Sequence, residues 1–187
     1  MKPRTTYALM TIGGAIGVVA AFLQTLEKLT LLKHAHQALT CDINSVFSCS
    51  NVLNAWQSSV FGFPNSIMCL TLFVIFTTAA VAGWAGSSLA KGFRLGVQGL
   101  SLFTLGFALW FLQQSTFVIR SLCIYCLFCF AGLIIVNWAW LRLNARDLPI
   151  PPTWRASLAR CFEKGTDTFG WILFGLFVAA ILIIKFA

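Results

Sequence analysis

The stretch Ser121–Phe130, SLCIYCLFCF, decides how the chain reads. Arg120 precedes it and residues 121–141 carry no charge, so Cys123 and Cys126 stand where a charged segment ends and an apolar run begins. That run is long enough to cross a bilayer as a helix, and the Cys-x-x-Cys pair falls on its first turn. A spacing of i, i+3 puts both sulfurs on one face, close enough to bridge. Amides at a helix N-terminus favour a thiolate, which is expected to lower the pKa of Cys123 in particular. A dithiol placed there can trade disulfides with a partner in water and hand electrons to an acceptor in lipid.

The composition agrees with a membrane setting. With 59% hydrophobic residues, 10% charged and 18 Phe in 187 residues, the chain is too apolar for a soluble domain of its size. Its uncharged windows predict an all-α integral membrane protein with five spans, at about 7–26, 66–86, 96–118, 122–141 and 169–186. The first four make a transmembrane four-helix bundle and the fifth is peripheral to it, all within one domain, 1–187. An external loop, 27–65, carries a short surface helix. With the N-terminus in the cytoplasm, nine Lys and Arg fall inside and four (Lys28, Lys33, Arg120, Lys185) outside, a positive-inside bias. Topology therefore accounts for the formal charge of +8, and no basic stripe interleaved with aromatics suggests nucleic acid. This orientation puts Cys41, Cys49, Cys123 and Cys126 on the oxidising, extracytoplasmic face of an inner or plasma membrane.

Along the chain, Tyr7–Leu26 is longer than a signal-peptide core and reads as a retained helix, in which Gly13, Gly14 and Gly17 mark a close helix contact. No strand precedes those glycines, which argues against a nucleotide loop. In the external loop, Val46, Phe47, Val52, Leu53 and Trp56 suggest the apolar face of the surface helix, with Asp42 or Asn44 capping it. Cys41 is then expected exposed in mobile loop and Cys49 on the helix, and a disulfide between them would close a small flexible loop. His34 and His36 read as solvated loop residues rather than metal ligands. Asn65 or Ser66 is expected to cap the second span, and the Asn65 amide lies at a depth that suits a lipid-soluble ligand. Gly96, Gly99 and Gly106 suggest close packing of the third span, Gln113 and Gln114 an interfacial position, and Trp138 and Trp140 an aromatic belt. The segment 144–169 reads as a connector. Cys69, Cys129 and Cys161 read as ordinary free cysteines, and a zinc site of four outer cysteines ranks below disulfides.

Cys41-Asp42, Ser48-Cys49-Ser50, Pro64-Asn65-Ser66 and Cys123-Ile-Tyr-Cys126, in this order, resemble the vitamin K epoxide reductase family, and specifically its bacterial disulfide-forming branch. The resemblance covers the first through fourth helices. It also separates the chain from DsbB-type oxidases, which carry their Cys-x-x-Cys in the first external loop.

The resemblance implies a quinone-dependent thiol oxidase. A DsbA-like or thioredoxin-like soluble thiol protein would attack a Cys41–Cys49 disulfide at Cys41. Cys49 would then attack Cys123, and Cys126 would donate to a membrane quinone of ubiquinone, menaquinone or phylloquinone type. Asn65 would hydrogen-bond a quinone oxygen and Phe130 would pack on its ring. Vertebrate members carry Thr-Thr-Tyr where this chain has Phe128, Cys129 and Phe130, so a tyrosine donor is missing. Many bacterial relatives carry a thioredoxin-like domain after the fifth helix; here the sequence runs to Ala187, and the partner is expected to act in trans. Two other readings are a vitamin K quinone or epoxide reductase using the same relay, and a non-enzymatic scaffold or small transporter. An ion-coupled path is disfavoured by the lack of charge within the spans.

Overall fold

A computed structural model describes residues 2–34, 39–149 and 151–186, so His36 lies outside the described residues. Among the described residues seven α-helices follow in order: α1 (Pro3–Lys33), α2 (Cys49–Asn54), α3 (Asn65–Trp84), α4 (Lys91–Gln113), α5 (Ile124–Asn144), α6 (Pro152–Lys164) and α7 (Thr166–Phe186). Long apolar segments have no water to satisfy their peptide groups in hydrocarbon, and the helix satisfies them internally. Five of the helices, α1, α3, α4 with its continuation to Ile119, α5 and α7, are long and apolar enough to cross a membrane.

Helices α1, α3, α4 and α5 form the bundle, with α1 packed mainly on α5 and α3, and α4 on α5. Small residues permit the closest approaches. A Cβ on Gly13 would lie 2.7 Å from Ile135, and one on Gly17 would lie 2.1 Å from the Phe73 ring. Met10, Phe73, Phe76, Leu133, Val136 and Trp140 fill the interior behind these contacts. Between α4 and α5 the join is polar: Asn137 exchanges hydrogen bonds with Ser101, and Asn144 donates to Gln98 Oε1 at 2.9 Å. Buried side-chain hydrogen bonds of this kind bind helices together where lipid offers no hydrophobic drive.

Three features differ from the sequence reading. Gly96, Gly99 and Gly106 have nothing within 4 Å of a notional Cβ, so they face away from protein rather than marking a contact. Trp138 and Trp140 are buried in the bundle instead of forming an exposed belt, and the Trp138 indole donates to Thr168 Oγ1 at 3.1 Å. The connector 144–169 contains a 13-residue helix, α6. Helix α7 is peripheral and has no buried residue of its own; Trp171, Phe174 and Val178 rest against the bundle. Arg142 at the end of α5 pairs with Asp167 at the start of α7, Nη2 to Oδ1 2.6 Å, with side chains only 11% and 5% exposed.

Candidate redox site and cavity

The cysteine end of the bundle is assembled by two irregular segments. Helix α4 widens into a π-helical stretch, Gln114–Ile119, and stops at Arg120, whose φ of +60° makes it the one non-glycine residue in the left-handed region among the described residues. The chain thereby turns back on itself, and the Ser121 amide donates to Ser115 O at 3.2 Å. Leu122 then pairs with Phe47 in an isolated bridge: Leu122 N donates to Val46 O at 2.7 Å, and Ser48 N to Leu122 O at 3.1 Å. Since each cysteine follows close behind this bridge, Cys49 and Cys123 are carried together, with their sulfurs 3.4 Å apart.

Residues 39–50 fold around the Asp42 carboxylate. It accepts from Leu39 N at 3.0 Å, Ser50 N at 3.0 Å, the Ser48 hydroxyl at 3.1 Å and the Ser50 hydroxyl. Burial pushes the Asp42 carboxyl upward, but the Ser50 hydroxyl and amide, the Leu39 amide and the Ser48 hydroxyl outweigh it and hold it below the usual carboxylate range. Asn44 instead accepts from Val46 N and Phe47 N in a local turn. Ser48, rather than Asp42 or Asn44, caps α2, accepting from Asn51 N at 3.3 Å. That leaves Val46 and Phe47 before the helix and Trp56 beyond it on a short 3-10 turn, 69% exposed.

Cys41 and Cys49 are joined by a disulfide. Cys41 is buried, 3% exposed, among Leu31, Leu39, Val52, Leu53 and Phe111, which corrects the expectation of an exposed sulfur in mobile loop. The cause is the Asp42 turn, which folds the segment onto the bundle mouth. Cys123 is the N-cap of α5 and Cys126 lies in its first turn, both as free thiols. The Tyr125 and Cys126 amides at the start of α5 donate to the Cys123 sulfur.

Beneath Cys123 a narrow cavity of about 50 Å³ runs into the bundle. That is well below the ~300–1,000 Å³ typical of small-molecule sites, so a ring-sized ligand enters only if the walls move apart. Phe107, Phe111, Leu112, Phe130 and Leu133 make it apolar, and Cys126, Asn65, Ser66, Gln24 and Lys28 supply polar groups. Asn65 and Ser66 do not cap α3, whose N-cap is Pro64. The Asn65 amide turns inward, Nδ2 donating to Gln57 O at 2.7 Å, while Asn65 Oδ1 and Ser66 Oγ are buried without a partner. Gln114 stays at the bundle end, accepting from Gln57 Nε2 at 3.4 Å.

Two cavity residues were missed in the sequence. Helix α1 continues to Lys33, so Lys28 is not a loop cation but a buried side chain on the cavity, donating to Leu53 O and Ser58 Oγ. The spans are therefore not free of charge. Gln24 Nε2 donates to Cys126 Sγ at 3.1 Å. The available signal was a glutamine inside an apolar run with a lysine four residues on, one helical turn away.

A membrane-spanning bundle with a disulfide at its mouth, two further thiols in contact and a cavity below them defines a multi-pass membrane protein equipped for thiol redox chemistry. Residues 8–142 match the model of the vitamin K epoxide reductase family, and the chain belongs to that family of oxidoreductases. No curated protein matches the chain significantly.

Proposed function

We propose that the chain is a thiol oxidase that takes electrons from a soluble DsbA-like or thioredoxin-like protein and passes them to a membrane quinone, supporting disulfide bond formation. The observation that carries this reading is the 3.4 Å separation of Cys49 Sγ and Cys123 Sγ, which connects a closed disulfide to a thiol pair on the cavity.

The steps are thiolate displacements. A partner thiolate attacks Cys41, the Cys41–Cys49 bond breaks, and Cys49 leaves as a thiolate. Cys49 attacks Cys123 of a Cys123–Cys126 disulfide, and Cys126 leaves with the electron pair. The second partner thiol displaces Cys41 and leaves oxidised; Cys41 attacks Cys49, restoring the first disulfide and freeing Cys123. Cys123 and Cys126 then close their own disulfide while the quinone takes two electrons and two protons. A closed Cys41–Cys49 pair beside the free thiols Cys123 and Cys126 corresponds to the state just before that last step.

The lining suits such an acceptor once the walls part: they are apolar, and the unpartnered Ser66 Oγ and Asn65 Oδ1 suit the oxygens of a quinone and its hydroquinone. Phe130 supplies an aromatic wall. The nine-to-four bias of Lys and Arg supports a cytoplasmic N-terminus and an extracytoplasmic redox end.

The test is quinone reduction in liposomes with a reduced DsbA-like donor, comparing wild type with Cys41→Ala and Cys126→Ala. Wild type is expected to turn over, and Cys126→Ala to exchange disulfides with the donor but leave quinone unreduced. Wild-type protein that leaves quinone untouched, with all four cysteines unchanged by the donor, would overturn the reading.

A further inference from the structure

Helix α1 places two polar side chains, four residues apart, on the wall of the cavity that Cys126 faces. Gln24 is 6% exposed and its amide donates to the Cys126 sulfur at 3.1 Å. An amide buried at this depth is costly unless its bond is strong. Against a neutral thiol the bond is weak, whereas against a thiolate it is charge-assisted and about twice as strong. Leucine would fill the same space at no polar cost, so the glutamine is explained by charge on the sulfur.

Lys28 supplies an independent observation. It is 9% exposed, its ammonium donates to Leu53 O and to Ser58 Oγ at 3.4 Å, and among the described residues no carboxylate forms an ion pair with it. It stands ~6 Å along the helix axis from Gln24. A buried cation without an anionic partner, lining the same cleft as a cysteine, makes the cleft favourable to negative charge. The thiolate exchanges outlined above use neither side chain.

We infer that Gln24 is a catalytic residue that holds Cys126 as a thiolate by hydrogen bonding its sulfur, and that Lys28 supports the same charge through its field. This rests on Cys126 being the electron-donating sulfur. When Cys49 attacks Cys123, the Cys123–Cys126 bond breaks and Cys126 takes the electron pair without needing a proton. A stabilised thiolate leaves faster.

The test is peptide-resolved alkylation of full-length protein in liposomes by a small maleimide near neutral pH. The background is Cys123→Ser, which leaves Cys126 unpaired, and no quinone is added. Gln24→Leu is expected to slow alkylation of Cys126 about tenfold, and Lys28→Met to slow it several-fold, with Cys69 and Cys129 unchanged. Cys126 reacting within twofold of the parent in both variants would overturn the inference. So would a parallel slowing of Cys69 and Cys129, which would mark the two residues as packing elements. Because the assay needs no acceptor, its failure leaves the quinone reading standing, and failure of quinone reduction leaves this result standing.

Discussion

Cys49 Sγ lies 3.4 Å from Cys123 Sγ while Cys49 is still bonded to Cys41. Disulfide exchange requires a thiolate to approach one sulfur of an existing bond, and here the nucleophile and its target are already in contact. The contact depends on the Phe47–Leu122 bridge, so backbone pairing rather than side-chain packing sets the sulfur geometry.

Replacing Cys126 with Ala removes the competing partner of Cys123. The Cys123 thiolate then attacks Cys49, forming a Cys49–Cys123 disulfide and releasing Cys41 as a free thiol. Peptide mapping under non-reducing conditions is expected to recover that new cross-link in a substantial fraction of the protein. Recovery of Cys41–Cys49 alone would show that the 3.4 Å approach is not productive.

Asp42 organises the loop over the disulfide, and Asp42→Asn weakens its acceptor set by about 1 kcal/mol, discounted for a half-exposed carboxylate. The Cys41–Cys49 bond is expected to be reduced several-fold faster by a phosphine in this variant. The folded carboxyl sits below its unfolded value, so its contribution is full above about pH 4 and disappears as pH falls through the lower, folded value. Wild-type protein therefore loses protection on acidification, while Asp42→Asn shows no such pH step; identical profiles for the two would refute the role.

Asn65→Leu and Ser66→Ala remove the two unpartnered buried oxygens of the cavity. Each is expected to raise the KM for quinone about tenfold while leaving disulfide exchange with the donor intact. Loss of donor exchange in step with quinone reduction would place these residues in the loop machinery instead.

Gly17→Ala drives a methyl group into the Phe73 ring and is expected to destabilise the bundle by about 1–3 kcal/mol. Gly96→Ala, with open space around it, is expected to be neutral or slightly stabilising. Thermal unfolding in one detergent compares the two directly, and equal melting temperatures would contradict the packing described.

Asp167→Asn removes the carboxylate that ties the nearly buried Arg142 guanidinium to α7 and is expected to weaken α7 docking by about 1–3 kcal/mol. Limited proteolysis between 145 and 165 should accelerate, with the Cys41–Cys49 disulfide retained. Unchanged cleavage would show that apolar contacts alone hold α7.

The membrane class, the number of spans and the grouping of cysteines were readable because they depend on long apolar runs and on residues that carry chemistry. Which face of each helix meets protein was not. Lipid is as apolar as a core, so Gly13 and Gly17, which touch neighbours, look the same in sequence as Gly96 and Gly99, which do not. Lys28 was assigned to the loop because charge normally ends a span, yet α1 runs on for another turn and turns that lysine inward. The burial of Cys41 depends on four hydrogen bonds to one carboxylate, and only the fold brings those donors together. Helix α6 was hidden behind three prolines that suggested a linker, although Pro152 stands at its first turn, where proline is accommodated.

The covered Cys41 has a consequence for what the protein turns away. Small thiols are abundant wherever cells keep redox buffers, and a disulfide open to them would drain oxidising power from the membrane in a futile cycle. With Cys41 only 3% exposed under its own loop, a diffusing thiol meets no open line of approach. On the thiol-oxidase reading proposed above, access then falls to a macromolecule able to displace that loop, so discrimination among reductants arises from the work of uncovering one sulfur.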